Sequence, residues 1–313
     1  MATAVTDRQK VLFPVAMQPV YLERKRENLF QNDYRPVPGF KAIVAEDDGH
    51  VFSVVAKDYR LVTNEEALEL GEVCFGEVFK VIRPEDLSVF NIIMPKTRSF
   101  CHVDFTHPET NFELFDKDQW FPYLRVTNSY NRMFALNFDL GFCRGICRNG
   151  VIFGRKNIEF KFYHSKTSKD PVVKFKLRAG EFSVLEKQFI ESLRNLKRFH
   201  VPPKLMWPLA CKVFGFNAPD SPTPRQKEIM EEKRVAISDL SDRYFPELGE
   251  NGYAALNVLT DYASRPVGMV SVEGNIDGLQ RKSGAWVTEF VDAIVARDFS
   301  FDRYLGEYVR MAG

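Results

Sequence analysis

The chain reads as β-rich to about Leu177, with apolar residues alternating at a period near two in its strands, and the apolar period becomes helical, near 3.6, beyond Gly180. That one change of period most constrains the fold. A β-rich part with one helix comes first and a run of helices after, which indicates an α+β chain. The expectation is an antiparallel β-rich N-terminal part, made of hairpins and one helix, followed by a helical C-terminal part. In residues this reads as an N-terminal arm over 1–33, a β-rich domain over 34–179 and a helical region over 180–313. The helical region either shares the β-rich core or stands apart.

Local signals place the elements. Phe40–Glu46 and His50–Ala56 flank Asp47-Asp48-Gly49, which predicts a hairpin with a glycine-containing turn. Thr63 and Glu66 form a capping box that starts a helix toward Val78, with Gly71 weakening its middle. Val89–Met94 and Ser99–Phe105 read as strands, and Thr106–Gln119 as a polar loop. Phe182, Leu185, Phe189, Leu193 and Leu196 share one helical face, and Pro202-Pro203 ends that helix. Further helices are expected near Lys204–Gly215, Ser221–Ala236, Tyr253–Ala263, Ala285–Ala296 and Phe301–Val309. Residues 1–32 read as a solvated arm, a small helix or an oligomer contact.

The most strongly β-patterned stretch is Tyr123–Gly154. Tyr123, Arg125 and Thr127 alternate with Leu124 and Val126, as in a half-buried strand. Asn128–Asn131 is rich in turn formers, and Met133–Phe138 resumes the strand. Cys143–Arg148 reads as a third strand with Arg144, Ile146 and Arg148 on one face. Asn149-Gly150 is a strong hairpin turn, after which Val151-Ile152-Phe153 returns.

The run LRVTNSYN…ALNFDLGFCRGICRNGVIFG resembles the core signature of the phage/plasmid-like family known as domain of unknown function 932. Three further stretches agree: Tyr59–Ala67, Tyr163-His164-Ser165 and Leu256–Tyr262. The chain departs from the pattern at Asn131 and Arg148. The resemblance implies a phage, prophage or plasmid setting and a bacterial host cytoplasm, and it supplies no catalytic residues.

Composition narrows the function classes. Five Cys residues without paired C-x-x-C spacing argue for reduced thiols rather than a disulfide framework. No run reaches the length of a transmembrane helix, and MATAVTDRQK has no apolar signal core. No Walker A motif, dinucleotide glycine pattern or G-x-S-x-G is present, so no cofactor is expected. The net charge of +1 is unevenly spread: Arg144–His200 holds 14 Lys and Arg against 5 Asp and Glu, a net of +9, leaving −8 on the rest. A basic segment in an acidic chain is what a polyanion site requires.

The candidate nucleic-acid residues are Arg144, Arg148, Arg155, Lys156, Lys161, His164, Lys166, Lys169, Lys174 and Lys176, with Tyr130, Tyr163 or Phe153 available to stack bases. His102, Asp104 and His107 are weak metal candidates, because His102 and Asp104 share a strand face but lack further ligands. Cys143 and Cys147 would lie ~13 Å apart on a straight strand, too far to share a metal.

The expected function is non-enzymatic DNA binding, single-stranded DNA in particular, in replication, recombination or protection of a mobile element. The alternatives are an inhibitor of a host defence complex acting by protein–protein contact, and a metal-dependent nuclease. The partners expected are DNA or a host protein complex, with no membrane and with a homo-oligomer.

Overall fold

The computed structural model describes residues 8–24, 33–80, 86–115, 118–146, 148–153, 159–162, 182–217, 221–269, 271–296 and 298–308. The strands are β1 Val15–Arg24, β2 Asp33–Ala45, β3 Val51–Ala56, β4 Ser88–Ile93, β5 Phe100–Thr106, β6 Phe112–Leu114, β7 Asp118–Ser129, β8 Leu136–Arg144, β9 Gly150–Val151 and β10 Glu159–Phe162. The helices are α1 Asn64–Phe79, α2 Phe182–Arg198, α3 Met206–Phe214, α4 Pro224–Leu248, α5 Gly252–Ser264, α6 Val272–Val295 and α7 Phe301–Leu305. The pairs β1–β2, β2–β3, β4–β5, β5–β7, β6–β7, β8–β9 and β8–β10 are antiparallel. The fold is α+β, strands before helices, as the change of period predicts.

The chain forms two compact units, each discontinuous in sequence. The first takes residues 1–110, 124–139 and 159–179, and the second 111–123, 140–158 and 180–313. The division falls inside β7 and β8.

In the first unit, β1, β2 and β3 make one sheet, and β5 pairs with β4 on one side and with β7 on the other. Residues expected in a solvated arm instead form β1, in register with β2 from Val15↔Ala45 to Arg24↔Asp33. The alternation there is interrupted by Pro19 and by a register shift between Pro19 and Tyr21, which hides the period of two from a local reading. Helix α1 starts with the predicted capping box, Thr63 Oγ1 accepting from Glu66 N at 3.2 Å and Glu66 Oε2 from Thr63 N at 3.0 Å. Gly71 is not a weak point but a contact surface. A Cβ there would stand 2.4 Å from Val126 Cγ2 and 3.2 Å from Phe105 Cε2, so only glycine lets the helix lie this close to the strands.

The second unit is built on aromatic packing. Phe142 stacks on Phe189 at 4.1 Å, and Trp120 and Phe153 meet Phe189 edge-on at 5.3 and 4.8 Å. Helix α5 is buried from Gly252 to Ala263 and is capped by Asn251, whose Oδ1 accepts from Tyr253 N and Ala254 N. Helix α6 presents Gly284 to the chain after β9. A Cβ at that position would sit 1.8 Å from Ile152 O.

Three expectations from the sequence are corrected. The strand alternation around Tyr123–Thr127 does not mark a half-buried sheet, because β7 is buried from Pro122 to Ser129 and β8 along its whole length. Strand β8 begins at Leu136 rather than Met133. Cys143–Arg148 is not a third strand: β8 ends at Arg144 and the chain turns back to β9. Helices α4 and α6 also run longer than expected, because their polar ends carry too few apolar residues to show a period.

Candidate functional site

The second unit contains a buried network of charged and polar side chains that starts from the end of β8. Gly141 lets the Tyr123 ring pass, since a Cβ would meet Tyr123 Cζ at 2.4 Å. Three residues on, Arg144 is buried with its guanidinium fully engaged. Nε donates to Asp118 Oδ1 and Oδ2 at 2.8 and 3.0 Å, Nη1 to Asn257 Oδ1 at 3.3 Å and Nη2 to Glu247 Oε1 at 3.2 Å. Asp118 also accepts from the Tyr253 hydroxyl, which in turn accepts from Trp120 Nε1 at 2.9 Å. Burial, and then the Asp118 charge, push the Tyr253 hydroxyl far above the ordinary phenol range, so it stays protonated and donates.

A second cluster lies one turn further. Gly145 N bonds Gln119 O at 2.7 Å and Arg148 N bonds Arg144 O at 2.9 Å, which closes the turn. Arg148 sits there in the left-handed region at φ 53°, exposed to solvent. Asn149 turns inward. Its Nδ2 donates to the Tyr244 hydroxyl at 3.0 Å and its Oδ1 accepts from Arg265 Nη2 at 2.8 Å. Tyr244 donates onward to Asp261 Oδ2 at 2.7 Å, and Arg265 Nε donates to Asp261 Oδ1 at 3.0 Å. Arg243 reaches the same carboxylate at 3.7 Å. Asp261 is buried, whereas the side chains of Arg243 and Arg265 are 64% and 55% exposed.

The geometry brings two exposed arginines, Arg243 and Arg265, to one carboxylate, with exposed Arg148 close by along the chain. Arg265 holds Asn149, Arg148 precedes Asn149 by one residue, and Arg243 meets Arg265 at Asp261. Two positive charges, Arg243 and Arg265, stand against the one carboxylate of Asp261, which is buried. Arg144, Asp118 and half-exposed Glu247 form a separate group with one negative charge in excess.

Of the residues singled out in the sequence, Arg144 is corrected: it is an internal ion-pair partner and presents no charge to a ligand. Arg144 and Arg148 do not share a strand face, because the turn separates them. Lys161 lies on β10, and Arg155, Lys156, His164, Lys166, Lys169, Lys174 and Lys176 fall outside the described residues. Tyr163 does too. Tyr130 and Phe153 are buried and offer no stacking surface; the Tyr130 hydroxyl accepts from Asn64 N at 2.8 Å.

The metal candidates are committed elsewhere within the first unit. Asp104 takes Arg125 Nε and Nη2 at 2.7 and 2.8 Å, His102 Nδ1 shares a hydrogen bond with Thr127 Oγ1 at 2.7 Å, and His107 Nδ1 accepts from Glu109 N at 3.2 Å. Among the described residues no group of three or more His, Cys, Asp or Glu is arranged to hold a metal ion. Cys74, Cys101, Cys143 and Cys211 are free and buried. Burial pushes the thiols of Cys101 and Cys211 up to about 12. No helix among the described residues is long and apolar enough to cross a membrane.

Sequence reasoning missed Asp118, Asn149, Tyr244, Tyr253, Asn257, Asp261, Arg243 and Arg265 as one site. Asn257 and Asp261 lie within the Leu256–Tyr262 stretch, and Arg265 follows Asp261 by four residues, the spacing of a helical ion pair. Asp118 carried no local signal, standing at the end of a polar loop.

Fold and site together describe an α+β protein in which separated segments meet in buried polar clusters, Arg144 with Asn257 in one and Asn149 with Asp261, through Tyr244 and Arg265, in the other. The chain belongs to the DUF932 family: the family model described as a domain of unknown function (DUF932) matches residues 51–283. No curated protein and no solved structure matches the chain.

Proposed function

We propose that the chain is a non-enzymatic protein that binds the backbone of single-stranded DNA, in the replication, recombination or protection of a phage or plasmid. The observation that carries this reading is the pair of exposed arginines, Arg243 and Arg265, that share the buried carboxylate of Asp261, with exposed Arg148 next in the chain to Asn149, which Arg265 holds. Arginine forks that remain solvent-facing suit phosphate oxygens, and their anchoring below the surface reduces the entropy lost on binding. The basic residues from Arg155 to Lys176 continue the same sign of charge along the chain from Arg148. Buried Tyr130 and Phe153 remove base stacking by those two rings from the reading, so affinity rests on phosphate contacts.

The test is fluorescence anisotropy of a labelled single-stranded oligonucleotide over a salt series, with duplex alongside. The full chain is compared with the double variant Arg148→Ala/Arg243→Ala. Binding should weaken steeply with salt, and each arginine removed should lower the log–log slope by roughly 0.7 on a single strand. Unchanged affinity in the variant, or no binding by the full chain at low salt, defeats the proposal. Tighter binding to duplex would replace the single-strand assignment.

A further inference from the structure

Between β8 and β9 the chain makes a short turn that is held at both ends. Arg144 fixes the entry through Asp118, Asn257 and Glu247, and Asn149 fixes the exit through Tyr244 and Arg265. Arg148 N reaches back to Arg144 O at 2.9 Å, and Gly145 N bonds Gln119 O at 2.7 Å. Two side chains of this turn stand out into water. Ile146 is 72% exposed, the highest value for a large apolar side chain among the described residues. Arg148 is exposed too, at a left-handed φ of 53° that glycine adopts with less strain. The chain keeps an arginine there against the backbone's preference, and residues held in this way cluster at functional sites.

An exposed aliphatic side chain two positions from an exposed guanidinium matches the two parts of one nucleotide, an uncharged base face and a phosphate. A protein partner fits this turn poorly. A specific protein contact buries about 1,200 Å² or more, and one isoleucine supplies a small fraction of that. Among the described residues no other large apolar side chain is exposed between Met133 and Val184, so Ile146 does not extend into a wider apolar patch along the chain. A single base face is of the right size. Isoleucine is one of the apolar residues that nucleic-acid-binding proteins wedge between bases, and every base offers such a face whatever its identity. Because the turn is pinned at both ends, it presents Ile146 without a loop having to order on binding.

We propose that Ile146 is the base-contacting residue of this turn, packing on one nucleobase of a single strand while Arg148 holds a neighbouring phosphate. This rests on the single-strand reading above and adds to it a contact that salt does not screen. The test is fluorescence anisotropy with two labelled strands of equal length. One is made of thymidines; in the other every base is replaced by an abasic tetrahydrofuran unit, which keeps the phosphates and removes the bases. The full chain should bind the thymidine strand about five-fold tighter, the lower end of what one base contact supplies. Ile146→Ala and Ile146→Ser, each with an unchanged circular dichroism spectrum, should bind the two strands alike, with the abasic affinity and the salt slope of the full chain. A full chain that binds neither strand at low salt defeats the single-strand reading, and the base contact with it. Equal binding of both strands by the full chain, a preference that survives either substitution, or a variant weakened equally on both strands overturns the base contact alone and leaves the phosphate reading standing.

Discussion

Arg144 and Arg148 show how little residue type alone says about role. Both are arginines of one basic segment, four positions apart, yet one is buried against Asp118 and the other is exposed. Breaking a buried pair from one side leaves an uncompensated charge, which costs about 3–5 kcal/mol, whereas an exposed change stays within about 0.5 kcal/mol. Arg144→Met should therefore lower unfolding free energy by several kcal/mol in urea denaturation, while Arg148→Met leaves it nearly unchanged. Equal effects of the two substitutions would refute the placement of Arg144. The sign of this contrast was not legible in the sequence, because Asp118 lies 26 residues from Arg144, and Asn257 lies 113 away.

At the scale of elements, local signals did well where they are truly local. The Thr63 capping box, the Asp47–Gly49 turn and the strands β4 and β5 depend on residues within a few positions of one another. Gly71 marks the limit. Helix propensity alone has Gly71→Ala stabilise α1 by up to about 1 kcal/mol. Against this stands a Cβ at 2.4 Å from Val126 Cγ2, and overpacking a fitted core costs about 1–3 kcal/mol. Packing wins, so Gly71→Ala should lower the urea midpoint; a raised midpoint would mean that α1 does not press on β7. The expected strand at Cys143–Arg148 failed for a related reason. The alternation there was real, but burial of Arg144 and Asn149 on opposite sides of a turn took precedence over pairing.

For the whole molecule, the change of period at Gly180 suggests a place to cut the chain, and the compact units do not respect it. The second unit needs Trp120 from β7, Phe142 from β8 and Phe153 after β9 to complete the aromatic packing on Phe189. A fragment of residues 180–313 should therefore lack a cooperative thermal transition and show a poorly dispersed amide spectrum. A well-dispersed, cooperatively melting fragment would show that the helices hold a core of their own.

What the sequence determined by itself was the class of fold, most strand and helix positions, and membership in a family, since period, caps and turns are encoded by near neighbours. Tertiary structure alone decided which arginines face water, which tyrosines are buried and that Arg243 and Arg265 meet at Asp261 beside Asn149. Those outcomes follow from ion pairs and hydrogen bonds closed across large sequence separations. Their partners are chosen by how β7, β8, α4 and α5 pack, and no local pattern records that packing.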